Sequence, residues 1–389
     1  MSVYKNTNLR VIFGLTLTSA MSINLIAPAL PKMATALDIP EVHVGLMISF
    51  FTLPGVFLVP LIGILADRYG RKKVLMPCLI AHGVFGSAVA FTNNFQHALV
   101  LRVLQGIGWA GLFSLITTLI GDLFEDLQRS EAIGANASIL GIGLASFPLI
   151  GGAIAISSWS NPFLLFSVAF PMAALAHLFL DEPTVEKRSE TGGDFRSAFK
   201  YVKSLRATAV LAAAILAYIL LFGTFVTYFT LLLEEKFQAS PLTTGVLIAV
   251  MFLVSSGVST QAGRVVKRLA KSNAVIVGFF VYGLSLLIIP FISQPQLFLL
   301  PVAALGVGHG LNIPALHTLA TELAPIEHRA VVVSLFITMI RVGQTLGPPL
   351  LATILLYSDL NMIFVVSGLA AISSVAIGSG LKSWGKFIG

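Results

Sequence analysis

The chain has one cysteine, Cys78, and only 11% of its 389 residues are charged. A single cysteine in an apolar setting excludes an internal disulfide and a thiolate metal cluster. The shortage of charge accompanies a hydrophobic share of 56%, too high for a domain wetted on every side. No Asp or Glu lies near the centre of any long apolar run. The sequence also lacks a GxxxxGK[ST] loop, a nucleophile elbow, paired catalytic carboxylates and a metal-ligand cluster. These absences argue against an ATP-driven machine and against an enzyme, and no cofactor is expected. Thirty-four glycines and eighteen prolines would signal loops in a soluble chain, but they are tolerated in membrane helices, whose neighbours satisfy freed backbone groups.

What is present is a series of long apolar runs. A helix needs about 20 apolar residues to cross the hydrocarbon core, and twelve such stretches are centred near residues 20, 54, 84, 108, 142, 171, 219, 252, 283, 308, 343 and 371. The net charge of +7 is not spread as a nucleic-acid partner would require, and none is expected. Twenty of the 24 Lys and Arg fall in breaks on one side, among them Arg68, Arg71, Lys72, Lys73 and Arg129, against Lys32 and Lys236 on the other. By the positive-inside rule both termini are cytoplasmic, and the protein is a multi-pass resident of the cell membrane. Lys5 and Arg10 before the first run resemble the start of a signal peptide. The run is long for that, however, and Pro28 interrupts the would-be cleavage site.

The hydrophilic stretch after the sixth run divides the chain into an expected bundle at 1–180, a cytoplasmic linker at 181–206 and a second bundle at 207–389. A shift of 200 residues superposes Gly63 and Arg68 on Gly263 and Arg268, Gly106 and Gly108 on Gly306 and Gly308, Asp122 and Arg129 on Glu322 and Arg329, and Gly143 and Pro148 on Gly343 and Pro348. An even number of spans separates the copies, so the repeats are parallel, an arrangement that places substrate between the halves.

Between runs two and three stands Gly63-Ile-Leu-Ala-Asp67-Arg68-Tyr-Gly70-Arg71-Lys72-Lys73. This resembles the signature loop of the major facilitator superfamily, and the degenerate copy at Gly263 to Lys271 fits that family too. Run four carries Arg102-Val-Leu-Gln105-Gly106-Ile-Gly108-Trp-Ala-Gly111, similar to the family's arginine-bearing fourth-helix motif. Its GxGxxG spelling is not a dinucleotide site, because no strand precedes it. Run five, from Gly141 through Gly143 and Pro148 to Gly151 and Gly152, resembles the helix-bend motif of proton-coupled antiporters, with Phe147 where the family has glycine. Gly347 and Pro348 keep the glycine-proline pair in run eleven. The resemblance covers nearly the whole chain. It implies an all-α membrane protein of twelve transmembrane helices in two six-helix bundles, working by alternating access with substrate near the midplane. It also implies a charge latch at Asp67, Arg71 and Asp122, flanked by Gly63, Arg68, Gly70 and Arg129, that closes the cytoplasmic side.

Ionisable residues inside a membrane are costly and usually functional. Arg341 lies about 11 residues, or ~16 Å, into run eleven, deep enough to receive an anionic group. Gln344 stands one turn on, and His309 and Asn312 in run ten complete an expected polar patch. Asn24 is the only polar group run one offers where cation exporters hold a carboxylate. Tyr218 and Phe222, one turn apart in run seven, offer an aromatic lining, and Arg102 by resemblance assists proton movement. The expected function is proton-coupled export of an amphipathic small molecule, neutral or anionic, drug-like, lipid-like or a metabolite, by a monomer. The rival readings are a symporter or facilitator importing a small organic solute, told apart by the direction of flux, and a non-transporting membrane sensor, which would bind without flux.

Overall fold

The computed structural model describes residues 3–183, 201, 203–325 and 328–385, and every regular element among them is helical. This is what an apolar environment imposes: with no water to take up backbone N–H and C=O groups, each run must satisfy them internally. The principal helices are α1 (Thr7–Asn24), α2 (Leu46–Tyr69), α3 (Arg71–Ala88), α4 (Phe95–Leu123), α5 (Asp126–Ala155), α6 (Ala169–Phe179), α7 (Leu205–Tyr218), α8 (Pro241–Leu269), α9 (Lys271–Ile288), α10 (Leu299–Thr321), α11 (Arg329–Leu355) and α12 (Leu360–Gly385). Among the described residues, eleven helical stretches are long and apolar enough to cross a membrane, and Leu360–Val375 of α12 forms a shorter twelfth. α7 passes without a break into a π-helix, Ile219–Tyr228, and then into α-helix again over Phe229–Phe237.

Two compact units emerge from the packing: Met1–Pro40 with Leu46–Ser189 and Ser240–Val246, and Glu41–Gly45 with Glu190–Ala239 and Leu247–Gly389. Relative to a single cut after residue 180, two short segments are exchanged. The turn before α2 belongs to the second unit, where Gly45 abuts Pro348, and the first turns of α8 belong to the first, where Gly152 meets the Pro241 backbone. Glycine permits both contacts, since a Cβ at either position would clash. Most of the expected linker, residues 184–200, lies outside the described residues.

In the first unit α1 to α6 close around a core that includes Leu9, Ile12, Leu15, Ala66, Leu75, Leu79, Leu112, Leu115, Leu119 and Ala176. Large apolar side chains such as Phe57, Ile64 and Leu300 are instead exposed, as expected of helices whose outer solvent is hydrocarbon. Polar anchors fix the ends. Asn8 and Asp181 exchange two hydrogen bonds of 2.9 Å, Lys72 Nζ donates to the Leu180 carbonyl, and its backbone N–H donates to the Glu182 carboxylate. The α2–α3 turn uses Gly70 at φ 105°, ψ 145°, a region nearly closed to residues with a Cβ.

Candidate substrate site and charge latch

In the second unit, four helices bring together most of the polar groups expected from the sequence. α7 ends on Tyr218, whose ring stacks on Phe222 at 5.9 Å and meets the His309 imidazole edge-on at 6.1 Å. Tyr282 of α9 approaches the same imidazole at 6.2 Å. On α11, Arg341 Nη1 donates to Gln344 Oε1 at 2.7 Å, and the guanidinium lies within electrostatic reach of Tyr218. His309 and Asn312 share one face of α10, three residues apart. All but the half-buried Tyr218 are buried; Arg341 is 3% exposed. The Tyr282 hydroxyl, His309 Nδ1 and both amide atoms of Asn312 have no partner among the described residues. Buried polar groups without partners are uncommon and are filled by water or ligand. The cluster thus pairs one permanent cation and several open hydrogen-bonding atoms with an aromatic wall. That chemistry suits a ring bearing an acidic or hydrogen-bonding substituent.

Arg102 belongs to the first unit and does not join this cluster. It is 0% exposed, donates from Nε to the Met47 carbonyl at 3.0 Å and from Nη1 to Gln105 Oε1 at 2.6 Å, and lies 4.1 Å from the Phe51 ring centroid. Asn24 is also in the first unit, at the end of α1; its Nδ2 donates to the Ala20 carbonyl and its Oδ1 has no partner among the described residues.

Three residues of the expected latch form a chain of charge. Arg71, 6% exposed, contacts Asp67 at 2.5 Å and Asp122 at 2.8 Å, beside the Gly70 turn. Arg68 instead covers the Tyr69 ring, Arg129 Nε donates to the Phe124 carbonyl at 2.9 Å, and Gly63 has open space around it. The second unit carries the same device 200 residues on: Lys271 pairs with Glu322, with Arg206 at 3.9 Å. The helix-bend residues form close packing seams. Gly143 faces Ala20, Gly151 the Leu25 backbone, and Gly347 the backbones of Ile219 and Gly223, while α5 and α11 run on through Pro148 and Pro348.

Sequence reasoning passed over His82, Gln105 and Tyr282. His82 and Tyr282 coincide under the 200-residue shift, so the repeat carried a signal for them. Gln105 is visible as the fourth residue of Arg-x-x-Gln, a spacing repeated at Arg341 and Gln344.

The sequence profile described as Major Facilitator Superfamily matches residues 12–234 and 211–381. The bacillibactin exporter of Bacillus subtilis (strain 168) is 29% identical over 384 residues, covering 95% of this chain and 94% of that one. The class B tetracycline resistance protein of Escherichia coli is 26% identical over 359 residues, covering 90% and 88%. Among solved structures, a point mutant of the nucleoside transporter NupG superposes with a TM-score of 0.82 at 13% identity, covering 97% of this chain and 100% of that one.

Proposed function

The chain belongs to the major facilitator superfamily and is a membrane transporter rather than an enzyme, and from that premise we propose that it exports an amphipathic small molecule, neutral or anionic, in exchange for protons. The observation that carries the reading is the buried guanidinium of Arg341 among Tyr218, Phe222, His309 and Gln344, with no carboxylate near the centre of any apolar run. A site built for organic cations would need the opposite charge, because an unneutralised cation is costly in a medium of low dielectric. The stacked Tyr218–Phe222 pair supplies a face for a flat, apolar portion of the substrate. A relative named as an exporter of bacillibactin supports the outward direction. His309 is the titratable imidazole of the cluster, and in this reading it takes up and releases the exchanged proton.

Proteoliposomes with an imposed pH gradient, offered a panel of cationic, neutral and anionic lipophiles, test the proposal. Uphill movement of an anionic or neutral aromatic coupled to proton release, and lost in a folded Arg341→Ala variant, is the expected result. Downhill uptake with no proton movement would make the protein a facilitator. Saturable binding without any flux would make it a sensor.

A further inference from the structure

Arg102 poses a problem that the substrate site does not solve. It is completely buried in the first unit, yet no Asp or Glu occurs between Glu41 and Asp67, between Asp67 and Asp122, or between Glu131 and Asp181. α1 carries none either, so no helix of that bundle offers a carboxylate at the depth of Arg102. Its partners are neutral: the Met47 carbonyl, Gln105 Oε1 and the Phe51 ring. Dipoles share out a charge but do not cancel it.

The atoms left over all have one character. Arg102 Nη2 and Gln105 Nε2 are buried and have no hydrogen-bond partner among the described residues. Both can only donate. Each is bonded to the same carbon as one atom of the 2.6 Å bond between Arg102 Nη1 and Gln105 Oε1, so both belong to one hydrogen-bonded pair of side chains. The Gln105 amide cannot turn around, because a guanidinium accepts only an oxygen at that contact. The clamp therefore presents two unpartnered donor nitrogens and one positive charge with no carboxylate against it. His82, within electrostatic reach of Arg102, and the Phe51 and Phe166 rings pack beside it and bring no negative charge. Gly86 makes the room: a Cβ there would stand 2.5 Å from Gln105 Nε2 and 2.8 Å from Phe166 Cβ.

We propose that the Arg102–Gln105 clamp of the first bundle binds a small monovalent inorganic anion of halide size, a structural counter-ion distinct from the transported substrate. Water would satisfy the two donors but leave the charge. A halide does both, and because Gly86 lies against the Gln105 amide, a Cβ there would displace one of the two donors.

The test is thermal unfolding of protein solubilised and purified in sodium gluconate, then titrated with sodium chloride or bromide at constant ionic strength. A saturable rise in midpoint of about 2–4 °C is expected. Gln105→Glu supplies a fixed counter-ion in place of the amide, and Gly86→Ala displaces the amide; each should abolish the halide response. Arg341→Ala, in the other unit, should retain it. Equal midpoints in chloride and gluconate, or an undiminished response in Gln105→Glu and Gly86→Ala, would overturn the proposal. Should those variants fail to fold, bromide anomalous scattering from crystals of the unmodified protein decides: a peak between Arg102 and Gln105 is expected, and an empty clamp refutes it.

Discussion

Ala270 occupies φ 62°, ψ 151°, close to the conformation that Gly70 adopts two hundred residues earlier. A Cβ there is strained by about 1–3 kcal/mol, and the turn holds it because Lys271 and Glu322 pair immediately beyond. Ala270→Gly relieves the strain and should raise the unfolding midpoint in detergent, while Gly70→Ala should lower it by a similar margin. A drop on Ala270→Gly would mean that the turn relaxes in solution. Individual residues were legible in the sequence in proportion to how far they stand out from an apolar background. Arg102 and Arg341 are permanent charges in hydrophobic runs and announce themselves. The same arithmetic cannot show that Arg102 and Arg341 serve separate clusters, nor that Tyr282 joins His309, because those facts depend on which helices touch.

Among the elements, the twelve runs were readable because hydrophobic length alone decides what crosses a bilayer. The change of helical type in the seventh was not, since a π-helix keeps the same composition and alters only the hydrogen-bond register. Its marks are structural: Thr227 Oγ1 donates to the Phe222 carbonyl five residues back at 2.6 Å, and Gly223 lies against Gly347. Gly223→Ala would place a Cβ 2.8 Å from the Gly347 carbonyl carbon, and rigid backbone cannot yield as a side chain does. A loss of about 1–3 kcal/mol is expected, whereas Gly257→Ala, with nothing within 4 Å, should cost nothing by crowding. The latch separates likewise into unequal parts. Asp67 is 63% exposed and Asp122 24%, so solvent screens the Arg71–Asp67 pair far more than the Arg71–Asp122 pair. Asp122→Asn should therefore alter the labelling of cysteines placed in the two vestibules more than Asp67→Asn does; equal effects would show that the two carboxylates act as one. At the start of α12, Asp359 accepts from the Met362 N–H at 3.0 Å, and this bond with the Asn361 side chain holds its carboxyl below the usual range. A lowered value stabilises the fold above the unfolded-state value near pH 4 and ceases to do so as pH falls through the folded one. Asp359→Ala should lower the unfolding midpoint slightly at neutral pH, the effect kept small by the exposure of the carboxylate, and the two proteins should converge in acid.

For the whole molecule the deciding quantity is the sidedness of charge. Translocating one basic residue against a membrane potential of 100 mV costs about 2.3 kcal/mol, and twenty of the 24 Lys and Arg lie in segments that alternate to one side. Reversing the chain would have to carry all of them across, so the orientation is fixed more firmly than any single loop would fix it. The helix order locates the tests. The exposed loop positions Asn93, between α3 and α4, and Gln294, between α9 and α10, fall on the charge-poor side; Gln128, in the first turn of α5, falls on the charge-rich side. With the lone Cys78 replaced by alanine, Asn93→Cys and Gln294→Cys should react with a membrane-impermeant maleimide in intact cells, and Gln128→Cys only after permeabilisation. The reverse pattern would place both termini outside. It would also place the Arg71–Asp122 and Lys271–Glu322 pairs on the exterior, opposite to the cytoplasmic side expected for them from the sequence.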